Sequence, residues 1–227
     1  MTSWPRSWER LVEEVFGPGT RIVFPRFFES KKNQVTLLTL VREAEPFQVL
    51  AKRYVWGEAS REHEVLVRAH GAGLAVPRPL ALHGEVGFQE VVPGTRLRGP
   101  VSLGRARALG RWLAAFHREL GLVRGDCVLP NFLVTPDGAL VGLDFEESGP
   151  GDPLEDVAGL GVSLLLASPV PDPSVLSALL EGYGRVPRRD LEPRMQADLA
   201  GRHRFLPERE ADLAACARSL ASWREAR

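Results

Sequence analysis

The stretch LVRGDCVLPNFLVTPDGALVGLDFEESGPGDPLEDVA (122–158) places two aspartates and an asparagine at spacings that suit metal-assisted group transfer. Asp126 and Asn131 stand five apart in a loop-like segment. FLV and LVGLD flank the turn sequence PDG and read as a hairpin. Such a hairpin would hold Asn131 at the start of one strand and Asp144 at the end of the other, converging on one point. An amide oxygen and a carboxylate beside a second carboxylate form an oxygen-ligand set for magnesium, which takes a few protein oxygens plus phosphate and water. In phosphoryl transfer the metal neutralises charge, while a separate aspartate orients the attacking hydroxyl and accepts its proton. The spacing thus supplies a base, Asp126, and two metal ligands, Asn131 and Asp144.

Other segments must position these groups. Residues 3–16 read as a helix with Ser3 as N-cap, Pro5 in the first turn, and Leu11, Val12, Val15 and Phe16 on one face. RIVFPRFF (21–28), VTLLTLVRE (35–43) and FQVLAKRYV (47–55) are β-branched or aromatic runs that read as an antiparallel meander. EASREHEVLVRAHGAG (58–73) turns to helical periodicity. VPRPLAL (76–82) and VGFQEVV (86–92) return to extended structure before PGT (93–95). A long amphipathic helix (about 103–121) precedes the chemical stretch, and helices follow it to the C-terminus. Only three of the 29 basic residues are lysine, so Lys52, set inside an apolar strand, stands apart from a generic surface charge.

The RGDCVLPN…LDFE pattern resembles the catalytic and metal-binding motifs of the aminoglycoside phosphotransferase and choline kinase group, within the protein-kinase-like superfamily. GDPLEDVA (151–158) is similar to that group's downstream segment, which implies that Asp156 braces the catalytic loop. The resemblance implies an α+β, two-lobed fold: an N-lobe over 1–92 with a small antiparallel sheet and one helix, and a mostly helical C-lobe over 93–227. It also implies that Lys52, in VLAKRY, holds the nucleotide phosphates and pairs with Glu62 on the next helix, with Glu64 in reserve. VPRPLAL resembles the strand after that helix, and GFQEVVPG the hinge strand, where adenine would meet backbone near Glu90 and Val92. ATP and Mg2+ are the implied cofactors, and a hydroxyl-bearing molecule is the implied acceptor.

Three positions depart from the group's pattern. Arg124 stands where a histidine usually precedes the glycine-aspartate pair. ESKKNQ (29–34), where a phosphate-covering loop belongs, has no glycine, leaving Ser30, Lys31 or Lys32 to compensate. DFE replaces DFG, and there is no room for a long activation loop. About 80 residues follow Asp144. That length also resembles compact atypical protein kinases (the RIO type, the small kinase of the tRNA threonylcarbamoyl-adenosine machinery) and Kdo-type sugar kinases. LLEGYGR (179–185) is loosely similar to the end of the tRNA-machinery kinase. A catalytically impaired pseudokinase, binding nucleotide or acting as a scaffold, is a further alternative.

Composition narrows the partners. Basic and acidic residues balance at 29 each, which removes any global electrostatic case for nucleic acid. Hydrophobic residues form 44% of the chain, enough for a sizeable core. The N-terminus lacks the apolar run of a secretory signal, and no apolar run is long enough to span a bilayer. Cys127 and Cys216 are expected to be reduced. The five histidines show no metal-binding spacing. The expectation is a soluble, cytoplasmic protein without membrane insertion.

Overall fold

The computed structural model describes residues 6–28, 32–55, 58–184, 186–205 and 209–225. The proposed N-cap Ser3, Pro5, Ser30, Lys31 and Arg185 lie outside these. The first helix, α1 (Arg6–Phe16), buries Trp8 and Val12. Three antiparallel strands follow: β1 (Arg21–Phe28), β2 (Gln34–Arg42) and β3 (Glu45–Arg53). The turn between β2 and β3 is tighter than the sequence suggests, because Glu43 (φ 53°) and Ala44 (φ 67°) both adopt left-handed backbone. A two-residue hairpin turn requires that conformation, usually supplied by Asn-Gly. Its absence here explains why strands expected at 35–43 and 47–55 lie at 34–42 and 45–53.

Helix α2 (Ala59–Gly71) then leads to β4 (Pro79–His83) and β5 (Val86–Glu90), completing a five-stranded sheet in the order β1-β2-β3-β5-β4. Strand alternation sorts the side chains. Leu38, Leu40, Val49 and Ala51 are buried against Trp8 and Val12 of α1. Their neighbours Leu37, Leu50 and Lys52 take the opposite face, towards a cleft.

Residues 91–94 carry the chain out of the sheet to the short strand β6 (Thr95–Arg96). Helix α3 (Leu103–Leu120) is capped by Ser102, whose Oγ accepts from Arg105 N, and by left-handed Gly121. A 3-10 turn (Leu129–Asn131) opens the hairpin β7 (Phe132–Val134) and β8 (Leu140–Gly142), and β6 adds a third strand beside β7. Four helices follow: α4 (Pro153–Leu166), α5 (Ser174–Tyr183), α6 (Arg188–Phe205) and α7 (Glu210–Glu225). Every residue of α4 from Asp156 to Leu166 is buried, so this helix forms the axis of the helical half.

The larger core joins α3–α7 with Val65, Leu66 and Ala69 of α2. Helices α3 and α5 approach so closely that a Cβ on Gly110 would lie 2.1 Å from the Leu179 carbonyl oxygen, and one on Gly182 would lie 1.9 Å from that of Arg107. No helix among the described residues is long and apolar enough to cross a membrane.

Candidate active site

Lys52, the penultimate residue of β3, lies on the cleft face and is buried. Its Nζ lies 2.7 Å from Glu62 Oε2, 2.7 Å from Asp144 Oδ1 and 2.8 Å from Glu146 Oε2. An ammonium has three N–H donors, and three carboxylates surround this one. Any anion approaching Lys52 from the cleft would have to displace Asp144 or Glu146, because Glu62 is 2% exposed and held on other sides. Tyr54 Oη donates to Glu62 Oε2 at 2.5 Å, and the Phe145 backbone N–H to Oε1 at 3.3 Å. Burial alone would push the Lys52 pKa down, but Glu62 and Asp144 outweigh it and hold the ammonium above the usual lysine range. Burial and then Glu62 likewise raise the Tyr54 phenol. Of the two glutamates weighed from sequence, Glu62 faces Lys52 and Glu64 faces solvent.

Asp144 follows β8 with φ 61°, a left-handed conformation that costs a non-glycine residue about 1–3 kcal/mol. Arg124 holds that turn from beneath. Its side chain is fully buried, and Nη2 donates to the carbonyl oxygens of Leu143 and, at 3.3 Å, Asp144. The guanidinium carbon lies 4.7 Å from the Phe132 ring centroid, 4.8 Å from that of Phe145 and 5.3 Å from that of Trp112, within cation–π range. Nε and Nη1 have no hydrogen-bond partner and lie inside this aromatic cage. The departure from histidine therefore leaves the loop braced.

The loop that carries Asp126 is fixed from the other side by Asp156. Its carboxylate accepts from Arg124 N at 2.5 Å, Gly125 N at 3.1 Å and His117 Nε2 at 2.9 Å. His117 Nδ1 in turn lies 2.9 Å from Tyr183 Oη, so the end of α3 and the end of α5 brace one carboxylate. Gly125 has φ 80°, and a Cβ there would meet the Glu147 carbonyl oxygen at 2.5 Å, so only glycine fits before Asp126.

Asp126 is exposed to the cleft. Asn131 Nδ2 donates to its Oδ2 and its carbonyl oxygen, both at 3.0 Å. With the amide nitrogen committed, Asn131 Oδ1 is the atom left for a cation. The described residues also gather Glu62, Asp144 and Glu146 with oxygens near enough to share one ion. All three carboxylates pair with Lys52, but Glu62 is also bonded by Tyr54 and Phe145 N and is 2% exposed, so Asp144 and Glu146 are the ones a cation in the cleft could reach. These hard oxygens fit magnesium.

Glu146 was missed in the sequence, where DFE registers only as a departure from DFG. Lys32 and Asn33 reach across to the same segment: Asn33 Nδ2 donates to Glu146 Oε2 at 2.5 Å, and Lys32 Nζ pairs with Glu147 at 2.5 Å and Glu146 at 3.6 Å. The glycine-free loop thus supplies side chains to the site. The hydrogen bond to Glu147 is the main reason that the Lys32 pKa is raised.

Lys32, Asn33, Lys52, Glu62, Asp126, Asp144 and Glu146 line one cleft of about 670 Å³, in the size range of small-ligand pockets, whereas Asn131 is buried just behind Asp126 and is not part of its lining. Leu37, Leu50, Leu133 and Leu143 give it an apolar end, closed by Glu90, Val91 and Val92. Glu90 is tied to Arg78: its N–H donates to the Arg78 carbonyl, and Oε1 accepts from Arg78 N, both at 2.9 Å. Val91 and Val92 lie past the last paired residue of β5.

A sheet-bearing N-terminal part and a helical C-terminal part with a cleft between them match the protein-kinase-like fold of the solved structures below. The family model described as "Phosphotransferase enzyme family" matches residues 117–197, which include Asp126, Asn131, Asp144 and Asp156. Solved structures agree over most of the chain. The AMP-bound spectinomycin phosphotransferase aligns with TM-score 0.65 at 11% identity, covering 97% of this chain and 94% of that one. The choline kinase LicA from Streptococcus pneumoniae aligns with TM-score 0.60 at 13% identity, covering 96% and 98%. An ethanolamine kinase from Plasmodium vivax aligns with TM-score 0.61 at 8% identity, covering 87% and 82%. At these identities the likeness establishes the fold. No curated protein matches at the level of sequence.

Proposed function

We propose that this protein is an ATP- and magnesium-dependent phosphotransferase that moves the γ-phosphate to a hydroxyl of a small molecule. The single observation that carries this reading is the convergence of Lys52, Glu62 and Asp144 at 2.7 Å separations in a cleft that also exposes Asp126. In this reading residues 1–92 form the nucleotide-binding lobe and 93–227 the catalytic lobe. Adenine would occupy the apolar end and meet backbone at Glu90 and Val92. With the Glu90 N–H already taken, Val92 carries more of that contact.

Lys52, steadied by Glu62, would hold the phosphates. Asn131 Oδ1 and the Asp144 carboxylate would hold magnesium, which when bound neutralises phosphate charge. Asp126 would accept the proton of the acceptor hydroxyl as its oxygen bonds to the γ-phosphorus and the bond to the ADP oxygen breaks. The Asn131 amide keeps the Asp126 carboxylate turned for that transfer. Use of ATP and two buried, free cysteines suit a cytoplasmic protein.

The test is radiolabelled transfer from Mg-ATP to a panel of hydroxylated metabolites that includes choline, ethanolamine and spectinomycin. Asp126→Ala is expected to abolish transfer while sparing nucleotide binding, and Asp144→Ala to weaken binding of the metal-nucleotide complex. Turnover retained in both variants rejects the assignment.

A further inference from the structure

The cations of the cleft are not equally committed. Lys52 is surrounded by three carboxylates, and Lys32 is paired with Glu146 and Glu147. Arg96 and Arg98 line the same cleft, and both are exposed. Among the described residues neither has a carboxylate partner. Their placement is built into the backbone. Arg96 pairs with Leu133 in the β6–β7 ladder, and Leu97 N donates to the Phe132 carbonyl at 2.8 Å, extending it by one residue. Leu97 packs against the helical core, so alternation turns Arg96 and Arg98 together to the opposite, cleft-lining face.

Their position relative to the chemistry follows from one contact. Arg96 Nη1 donates to the Pro130 carbonyl at 3.5 Å. Pro130 precedes Asn131 in the catalytic loop, and the Asn131 amide is bonded to Asp126. The Arg96 guanidinium, which has no carboxylate partner, therefore flanks the loop that carries Asp126, and Arg98 lines the same cleft two residues further on. Lys52, which answers the nucleotide phosphates, stands on the sheet side. The cavity of about 300 Å³ beyond Asp126 also has two arginines, but each is spent: Arg194 Nε donates to Asp152 at 2.9 Å, and Arg202 Nε donates to Asp198 at 2.6 Å.

We propose that Arg96 and Arg98 form an anion subsite at the catalytic-loop wall of the cleft, and that the acceptor alcohol carries a carboxylate or phosphate. The assignment of an acceptor rests on the phosphotransferase reading; the anion subsite itself does not. An acceptor of this kind is held at two points, its hydroxyl at Asp126 and its anion at the arginines. The second contact offsets the repulsion that the Asp126 carboxylate exerts on an anionic molecule.

The experiment is a calorimetric titration of wild type and the Arg96→Gln/Arg98→Gln variant with glycerol 3-phosphate, with glycerol as the neutral control and with and without saturating Mg-ATP analogue. Wild type is expected to bind glycerol 3-phosphate saturably in the presence of nucleotide and to ignore glycerol. The double variant should lose at least about tenfold in affinity, the scale of one charge-assisted contact, with nucleotide affinity unchanged. No binding by wild type, or equal binding by the variant, overturns the subsite. Anion binding that nucleotide abolishes, or nucleotide affinity that falls with the arginines, moves these residues to the nucleotide and overturns the acceptor assignment. Failure of wild type to bind the nucleotide analogue rejects the phosphotransferase reading separately.

Discussion

Lys52 and Asp144, ninety-two positions apart in the chain, form a 2.7 Å ion pair. That pair joins the sheet to the segment that follows the β7–β8 hairpin. Removing the ammonium leaves Glu62, Asp144 and Glu146 facing one another without their shared cation, with only Lys32, 3.6 Å from Glu146, still near one of them. Lys52→Met is expected to cost about 3 kcal/mol in urea unfolding, as for a broken buried pair. Adding Glu62→Gln should restore part of the loss, because the most buried of the stranded charges is then gone. Simple additivity of the two losses contradicts the arrangement.

The same cluster has a pH signature. Burial lowers the Lys52 pKa, but its carboxylate partners raise it further, so the folded value lies above the ordinary 10.5. A group raised on folding contributes stability that is complete below its unfolded pKa and is lost as pH climbs through the folded one. The stability gap between wild type and Lys52→Met should therefore stay flat from about pH 7 to about pH 10 and narrow only above that. A gap that closes below pH 9 would mean that the ammonium is not held by these carboxylates.

Arg124 offers a test of bracing apart from stability. Arg124→Met keeps an apolar chain in the aromatic cage, so the fold should survive with a change within about 2 kcal/mol. The Leu143 and Asp144 carbonyls lose their donor, and the left-handed turn at Asp144 loses its support. Affinity for Mg-ATP should drop at least about tenfold, while affinity for adenosine, which has no phosphates or metal to engage Asp144, stays level. Equal affinity for Mg-ATP in the two proteins removes Arg124 from this role.

The α3–α5 contact predicts a steric result. Gly110→Ala and Gly182→Ala should each destabilise by about 1–3 kcal/mol, because the new Cβ meets backbone that cannot rotate away. Gly104→Ala on the same helix is the control: its Cβ would meet only Ser102 Oγ at 3.9 Å, so no loss is expected. Thermal melts of the three variants separate the cases.

Both thiols should be inert in the native protein. Burial pushes the Cys216 thiol up to about 11 and raises Cys127 further. The thiolate is the reactive form, so iodoacetamide at pH 8 should label neither cysteine until denaturant is added. Rapid native labelling of Cys127 would mean that the loop carrying Asp126 opens.

The sequence made some of these features legible because they are local. Lys52 stood out by the rarity of lysine, the long helix by its period, and the β7–β8 hairpin by PDG. Other features arise only from long-range assembly. Glu146 acquires its role because Asn33 and Lys52 arrive from the sheet, and no spacing within DFE records that. Arg124 reads as a defect beside a histidine pattern until three aromatic rings from α3, β7 and the Asp144 segment enclose it. The Glu43-Ala44 turn lacks the glycine or asparagine that would have announced it, so the strand ends shifted. Strand β6, two residues long, is too short for any pattern.

The apolar face of α2 belongs to the helical core, although the helix sits between two strands of the sheet. A fragment ending at residue 92 would carry Val65, Leu66 and Ala69 bare to water, and the remainder would have an unfilled hollow where they pack. The seam between the two cores therefore runs beside Lys52 and Glu62, not through the connecting segment at 91–94. Their ion pair joins β3 of one core to α2 of the other, so cutting the chain at the connector is expected to expose apolar surface on both pieces.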